Sequence, residues 1–310
     1  MKIAIVGRSR WLLNTATTLA KAGHQIVSVV TAKAEPFYHC EPSDFERMAS
    51  EIDADFLGIV KLSNRDVRER IRSSGAELAV SINWPTIVNE EVIRLFPRGI
   101  MNAHCGDLPR YRGNACPNWA ILNGEDSLGL CAHMMEPDEV DAGAIVLKDH
   151  FKLEPSTYIG DIYAWLDGRI PTLLMEAVNG LEQSTLVPTL QPVDPSLALR
   201  CYPRLPEDGR IDWRQSEKIV CRLVRASSRP FEGAFSYFGN MKKVTIWRAS
   251  PYVHEQPFCA VPGQVLLRVE GDPVIACGQG ALRLEDIEVD SLASAETKKM
   301  IGASLRQRLY

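Results

Sequence analysis

The sequence predicts an α/β protein: a Rossmann-like, doubly wound domain with a mainly parallel sheet, followed by a smaller β-rich domain with an open, OB-like barrel. In the first half, short apolar runs alternate with charged stretches of helical spacing. After about residue 200, short β-like runs follow one another with Gly or Pro between them. A length of 310 residues suffices for two domains of ~150 residues each. We therefore expect a first domain at 1–190, a linker at 191–200 and a second domain at 201–310.

The elements of the first domain follow from the positions of the apolar runs. Strands are predicted at 2–7, 25–31, 55–61, 78–83 and 99–103, and helices at 15–23, 43–52, 65–73 and 89–96. The run 65–72 is rich in arginine, but its helical spacing indicates a solvent-exposed helix face. Doubly wound sheets place functional groups beyond the carboxyl ends of their strands. That edge of the sheet is therefore where we expect a site.

The second half begins with a long helical pattern at 158–186, which Pro171 is expected to kink or divide. The segment 191–196 is rich in proline and polar residues, which is typical of a linker. Beyond it, β-like runs are predicted at 244–248, 263–269, 273–277 and 281–287. These runs predict the small barrel, whose surface is available for a homodimer.

The composition is that of a soluble globular protein and argues against several classes of function. Apolar residues make up 45% and charged residues 24%, with a formal net charge of −4. Because there is no clear basic stripe, we expect no nucleic acid partner. No apolar run approaches the ~18 residues of a membrane span, so no membrane association is expected. Met1–Gly7 is predicted to be a strand rather than a secretory signal.

The eight cysteines are scattered and form no CxxC pair. Scattered thiols in a chain without a leader are typical of a reducing cytosol, so the protein is expected to be cytoplasmic. The same spacing argues against a metal site. Small anionic substrates are favoured, because a few arginines are enough to bind one or two phosphates.

Asn102 and His104 lie at the end of an apolar run that begins at Gly99. Residues two apart in a strand project to the same face, so these two side chains should lie together. Asparagine can polarise a carbonyl group, histidine can move a proton, and an aspartate such as Asp141 can hold the imidazole in one tautomer. This set suits acyl transfer without a covalent enzyme intermediate. The residues alone leave open whether His104 is a general base or stabilises an oxyanion.

Other polar residues near this set have simpler interpretations. His133 lies in an apolar run and is interpreted as a core or strand histidine. Cys105 is next to His104, but a free cysteine is more often inert packing, and direct acyl transfer does not need a thiol. Glu136 and Asp138 are acids close to Asp141 in the sequence and could take its place.

Several segments, taken in order and spacing, resemble the folate-dependent formyltransferase family. They are Asn102-Ala-His104, Leu-Pro-Arg-Tyr-Arg-Gly at 108–113, Pro-Asn-Trp-Ala-Ile at 117–121, Asn-Gly-Glu at 123–125 and Asp141-Ala-Gly143. The resemblance implies that Asn102, His104 and Asp141 are the catalytic trio and that N10-formyltetrahydrofolate is the formyl donor. The Asp-Ala-Gly-Ala-Ile sequence favours Asp141 over the neighbouring acids. The family's Ser-Leu-Leu after the histidine is replaced here, within 105–108, by Gly-Asp-Leu.

The second half resembles the C-terminal domain of the same family, at 206–213, 224–226, 230–235 and 275–282. It is most similar to the formyltransferase unit that acts on UDP-4-amino-4-deoxy-arabinose. The resemblance further implies two groups of binding residues. The folate would contact Ser81, Ile82, Asn83, Trp84, Ile87, Glu136, Asp138 and Val140, and the second substrate would approach Arg112 and Gly113.

Three functions remain as hypotheses at this point. The first is an N-formyltransferase that acts on a nucleotide-linked amino sugar for polysaccharide biosynthesis. The second is a methionyl-tRNA formyltransferase, against which the net acidic segment 31–46 argues, because it would repel phosphates. The third is a non-catalytic paralogue that binds folate or nucleotide, which would not need all three catalytic side chains.

Overall fold

The computed structural model describes residues 1–34, 40–58, 61–239, 241–289 and 292–310. These residues form two compact units. The first unit contains 1–116, 127–152 and 164–201, and the second contains 117–126, 153–163 and 202–310. The second unit therefore includes two short segments that the predicted boundaries place in the first domain.

Seven of the described strands form the main sheet of the first unit. The strands of this unit are β1 (Lys2–Gly7), β2 (Gln25–Thr31), β3 (Asp55–Leu57), β4 (Leu78–Ile82), β5 (Ile100–His104), β6 (Arg112–Gly113), β7 (Ser127–Met134), β8 (Ile145–Lys152) and β9 (Arg200–Cys201). The sheet order is β3-β2-β1-β4-β5-β7-β8, while β6 and β9 pair separately as a parallel two-stranded sheet. The pairs from β3 to β5 are parallel, and β7 and β8 add an antiparallel edge.

The order of the strands reverses between β1 and β4, because β2 and β3 continue on one side and β5 on the other. Ligands of doubly wound sheets bind beyond the carboxyl ends of the strands near such a reversal. Asn102 and His104 lie in the last three residues of β5, next to β4. Their predicted position at this edge is confirmed.

The helices up to residue 190 are α1 (Arg10–Lys21), α2 (Pro42–Glu51), α3 (Arg65–Ser74), α4 (Glu90–Ile93), α5 (Cys116–Asn123) and α6 (Ile159–Glu182). In α3, Val67 and Ile71 are buried while Arg65 and Arg70 are exposed and pair with carboxylates. The arginine-rich run is therefore a solvated helix face, as predicted. A core cluster packs Val67, Ile71 and Val92 against Ala79 and Ile100 of the sheet.

Two details of the prediction differ from the structure. Pro171 does not divide the long helix, because α6 runs unbroken from Ile159 to Glu182. The antiparallel strand β8 was not predicted, since its half-buried face lacks a strong apolar run. Residues 59–60 of the predicted strand 55–61 and residues 35–39 of the acidic segment lie outside the described residues.

The second unit is a five-stranded antiparallel sheet with helices α7 (Glu217–Ser227) and α8 (Ser294–Ile301). Its strands are β10 (Ala234–Phe238), β11 (Lys242–Tyr252), β12 (Val265–Val269), β13 (Asp272–Ala276) and β14 (Ala281–Val289), in the order β10-β11-β14-β13-β12. A buried cluster that includes Val224 of α7, Ile246 of β11 and Ile301 of α8 fills this unit. The predicted β-rich second domain is confirmed.

The two edge strands of this sheet are connected through residues 307–310. Leu309 forms an antiparallel bridge with Phe238 beside one edge, and Arg308 forms one with Gln264 beside the other. Leu309 is itself only 2% exposed and belongs to the buried cluster. The segment therefore closes the barrel through its backbone and contributes an apolar side chain to its core.

We expect Leu309→Ala to lower the free energy of unfolding by about 2–5 kcal/mol, because it removes buried methyl groups and leaves a cavity. Denaturant unfolding followed by tryptophan fluorescence would measure the change. Leu305→Ala is the matched control, since Leu305 is 59% exposed and its loss should change stability by less than about 0.5 kcal/mol. Equal effects of the two substitutions would contradict the role given to Leu309.

Candidate active site

Three polar side chains lie in one row across three neighbouring strands. Ser81 of β4 is the register partner of Asn102 of β5, and Asn102 is the partner of His133 of β7. All three are buried. Directly paired residues project to the same face of a sheet, so this row forms a polar strip at the carboxyl end of an otherwise apolar surface.

Asp141 is brought to this strip by the loop at 135–144, between β7 and β8. The loop places Asp141 at a φ of 55°, a left-handed conformation that aspartate tolerates better than most residues. Its side chain is fixed by the Gly113 N–H, which donates to Asp141 Oδ2 at 2.8 Å. A Cβ at Gly143 would overlap the Met134 carbonyl, so only glycine permits this close approach of the loop to β7.

The Asp141 carboxylate contacts both imidazoles. Its Oδ2 lies 3.3 Å from His104 Nδ1, and its Oδ1 lies 3.5 Å from His133 Nε2. Burial raises the pKa of the Asp141 carboxyl, but the adjacent His104 and His133 and the Gly113 amide outweigh it and hold this pKa well below its usual range. Asp141 is therefore an anion fixed between two rings, and the predicted trio is brought together.

His133 orients Asn102. His133 Nδ1 donates to the Met134 carbonyl at 2.9 Å, which leaves Nε2 as an acceptor. Asn102 Nδ2 donates to this Nε2 at 3.1 Å. This hydrogen bond orients the Asn102 amide with Nδ2 toward His133, and it uses one of the two amide hydrogens.

His104 is buried between two acceptors. Its Nε2 donates to the Tyr111 carbonyl at 2.6 Å, while its Nδ1 faces Asp141. Burial lowers the pKa of His104, and the opposing effect of the Asp141 charge is smaller. Because the Tyr111 carbonyl can only accept, one ring proton is on Nε2. A proton that reached Nδ1 would lie directly against the carboxylate.

Gln191 connects the Asp141 loop to β6. Its Nε2 donates to the carbonyls of Asp141 and Gly143 at 2.8 and 2.7 Å, and its Oε1 accepts from Arg112 Nη2 at 2.6 Å. Gln191 is buried although it begins the segment predicted as a linker. Arg112 is thus held by a neutral amide oxygen.

Of the eight residues expected to contact folate, Trp84 and Ile87 line a cavity beside the end of β4. The cavity has a volume of about 390 Å³ and includes Trp84, Thr86 and Ile87 on one side and Lys61 and Ser63 on another. Ile87 is 61% exposed, so an apolar side chain is available to a ligand there. Ile82 is buried in the sheet, and its carbonyl accepts from the Arg8 N–H.

Two buried polar atoms near this cavity lack a hydrogen bond partner among the described residues. They are Ser81 Oγ and Asn83 Nδ2. Asn83 follows β4 at a φ of 58°. Buried polar groups are generally hydrogen-bonded, so these two atoms are available to a ligand.

The other predicted contacts lie in the loop before Asp141. Glu136 and Asp138 are exposed, and Val140 is half-buried. The Asp138 N–H donates to the Val88 carbonyl at 3.2 Å, and Val88 lines the cavity. Asp141, and neither of the other two acids, contacts His104.

The cysteines around His104 do not supply a nucleophile. Burial raises the pKa of Cys105 to about 12, which leaves almost no thiolate at neutral pH. Cys116 Sγ donates to the Tyr111 carbonyl at 2.9 Å and is buried. Within the part of the chain that the structure describes, no group of three or more His, Cys, Asp and Glu could hold a metal ion. In that part, no helix is long and apolar enough to cross a membrane.

Sequence reasoning missed His133 and Gln191 as parts of the site. The contact of His133 depends on the antiparallel register between β5 and β7, which residue spacing does not give. Gln191 lies among prolines and polar residues, so composition alone indicates a linker. The only sequence signal for His133 is its position within the apolar run 128–135, eight residues before Asp141.

Comparison with known proteins adds family relationships to this geometry. The family described as Formyl transferase matches residues 1–178, and the family described as Formyl transferase, C-terminal domain matches residues 205–304. HypX from Aquifex aeolicus has a TM-score of 0.60 and 20% identity, over 99% of this chain and 48% of HypX. This chain therefore spans about half the length of that protein.

Two further solved structures match nearly the full length of their chains. The N-formyltransferase from Helicobacter canadensis, described in complex with folinic acid and dTDP-3-aminofucose, has a TM-score of 0.68 and 15% identity, over 92% of this chain and 99% of that one. A sugar N-formyltransferase from Shewanella sp FDAARGOS_354 has a TM-score of 0.60 and 18% identity, over 82% and 99%. At these identities, the likeness shows a shared fold.

The protonation state of His104 can be tested directly. We expect its imidazole to titrate below pH 6.5 because burial lowers its pKa, and we expect Asp141→Asn to lower the pKa further, because Asp141 raises it. Imidazole ¹⁵N–¹H NMR over a pH series would give both the pKa and the tautomer, and His104→Gln would assign the signal. A pKa above 6.5, or a neutral ring with its proton on Nδ1, would contradict the assigned geometry.

Proposed function

The chain belongs to the formyl transferase family, and on that premise we propose that it moves a formyl group from N10-formyltetrahydrofolate to the amine of a nucleotide-linked amino sugar. The observation that carries this proposal is the buried Asp141 carboxylate in contact with His104 and His133, beside the Asn102 amide. A buried anion is costly to maintain, and groups with strongly shifted pKa values are concentrated at functional sites. A protein that only binds folate has no need of such a group.

The residues present are suited to the formyl donor. A flat heterocycle needs apolar walls and a polar edge, and the cavity offers Trp84 and Ile87 together with backbone groups. The unpartnered Ser81 Oγ and Asn83 Nδ2 would bind the polar edge. When bound, N10-formyltetrahydrofolate supplies the formyl group: its bond to N10 breaks, a bond to the amine forms, and one proton passes from the amine to N10.

The catalytic side chains stabilise the charge that develops on the formyl oxygen and transfer the amine proton. Asn102 donates its second amide hydrogen to the formyl oxygen, whose negative charge increases as the amine attacks. The His104–Asp141 pair accepts the amine proton, and burial, which lowers the pKa of His104, favours its later release. Asp141 stabilises the resulting imidazolium across the 3.3 Å contact. His104 then releases the proton to the leaving nitrogen, so the enzyme ends in its starting state.

An amino sugar attached to a nucleotide is the favoured acceptor for two reasons. The family comparison includes sugar N-formyltransferases that match this chain over most of its length, one of them described with a dTDP-linked amino sugar. The net charge of −4 also argues against tRNA. Arg112 and Gly113, next to Asp141, would receive the sugar nucleotide.

The proposed activity can be tested by mass spectrometry. Purified protein would be incubated with N10-formyltetrahydrofolate and a panel of UDP- and dTDP-linked amino sugars, with initiator methionyl-tRNA alongside. We expect a formyl-sized mass gain on at least one sugar nucleotide and none on the tRNA. His104→Ala, as the inactive control, should lose about 10²–10⁴-fold in rate.

The outcomes of this experiment separate the three functions. Formylation of the tRNA alone would show a methionyl-tRNA formyltransferase. Binding of folinic acid without formylation of any acceptor, in wild type and His104→Ala alike, would indicate the non-catalytic paralogue. Full activity of His104→Ala would refute the proposed proton transfer while leaving the substrate assignment intact.

His133 should affect turnover more than binding. We expect His133→Leu to lower kcat about tenfold or more with little change in the KM for folate, because Asn102 loses the acceptor that orients its amide. His133→Gln, whose amide oxygen can accept the same hydrogen bond, should recover part of the rate. His254→Leu, a substitution in the second unit, is the matched control. Equal kcat losses in the leucine and glutamine variants of His133 would favour a purely structural role.

A further inference from the structure

Arg112 and Arg200 occupy equivalent positions on two adjacent strands beside Asp141. They are register partners in the parallel pair of β6 and β9. Neighbouring strands lie ~4.8 Å apart, so the backbones of the two arginines are direct neighbours. Gly113, the last residue of β6, donates its N–H to Asp141 at 2.8 Å. Arg112 is therefore adjacent in sequence to the glycine that binds the Asp141 carboxylate.

Neither guanidinium is neutralised. Among the described residues, no carboxylate forms an ion pair with Arg112 or Arg200, whereas arginines elsewhere in this unit, such as Arg65 and Arg169, do pair with carboxylates. Asp141, which accepts from the Gly113 N–H, is also in contact with two imidazoles. Two adjacent uncompensated cations repel each other unless an anion lies between them.

The local structure keeps the pair in place. Gln191 Oε1 accepts from both Nε and Nη2 of Arg112, at 3.2 and 2.6 Å, and so aims the guanidinium without cancelling its charge. Arg200 lies over Gly113: a Cβ at that glycine would come within 3.2 Å of Arg200 Cζ. Arg200 is exposed, so its charge is accessible from solvent. The Arg200 charge also lowers the pKa of His104, although less than burial does.

We propose that Arg112 and Arg200 form an anion site that binds the diphosphate of the acceptor nucleotide and so positions the sugar amine at His104. The proposal rests on the formyltransferase activity proposed above and adds Arg200 as a binding residue. Guanidinium groups bind phosphate oxygens through paired N–H donors. Carboxylates of the folate tail share this chemistry, but the cavity at Trp84 and Ile87 is lined by no residue of β6 or β9.

Calorimetric titration of the full chain with UDP, dTDP and inorganic pyrophosphate would test the site. Arg200→Met should weaken binding of all three by about tenfold to a hundredfold, which is the effect of losing a charge-assisted contact. Arg200→Lys should retain part of the affinity. Arg65→Met, which removes an exposed arginine already paired with Glu69, is the matched control and should bind as wild type does.

Folinic acid is the second ligand in the same series, and its affinity should not change in Arg200→Met. Steady-state kinetics of that variant should show a raised KM for the sugar nucleotide and a kcat within about twofold of wild type. Loss of folinic acid binding, with UDP and dTDP affinity unchanged, would overturn the proposal and assign the pair to the folate tail. Absence of UDP, dTDP and pyrophosphate binding in wild type would also overturn it.

The two proposals can fail separately. If wild type formylates an amino sugar nucleotide while Arg200→Met has an unchanged Kd and KM, the anion site is wrong and the activity stands. If wild type formylates no amino sugar but Arg200→Met loses affinity for UDP and dTDP, the anion site stands and the proposed acceptor is wrong.

Discussion

The Asp141 carboxylate is removed from bulk water and stays ionised because two imidazoles and one backbone N–H surround it. An unpaired buried charge would cost several kcal/mol. Folding therefore has to bring four segments together around this charge: β5, β6, β7 and the loop of Asp141. Gln191 secures that loop through the carbonyls of Asp141 and Gly143. The geometry of the candidate site is therefore a property of four chain segments and not of one motif.

Much of this site could be predicted from the sequence, because its main parts are local. Asn102 and His104 alternate on one strand, and strand periodicity alone puts them on one face. Asp141 was identified through the residues that follow it, where Gly143 allows a tight approach to β7. His133 could not be assigned a role in this way, since its contact with Asn102 arises from an antiparallel pairing across 31 residues.

The fold was predictable to a similar degree. The parallel strands β1, β2, β4 and β5 are continuous apolar runs, because helices cover both faces of such a sheet. The antiparallel strand β8 exposes one face and alternates weakly, so it lacked that signal. The role of Gln191 could not be predicted for a different reason. It lies in a segment whose proline and polar residues are typical of a linker, and its hydrogen bonds join it to backbone carbonyls and one arginine that are distant in sequence.

The second unit is assembled from three separate stretches of chain. Tyr158 shares a hydrogen bond of 3.2 Å with the Ala249 carbonyl of β11, and Asn118 Nδ2 donates to the Ala226 carbonyl of α7 at 2.8 Å. A fragment that began at residue 202 would lack both donors and would leave buried acceptors unsatisfied. A swap of this barrel at the linker would therefore separate it from two segments that it contacts, 117–126 and 153–163. Its exchange between proteins would require the two inserted segments to change with it.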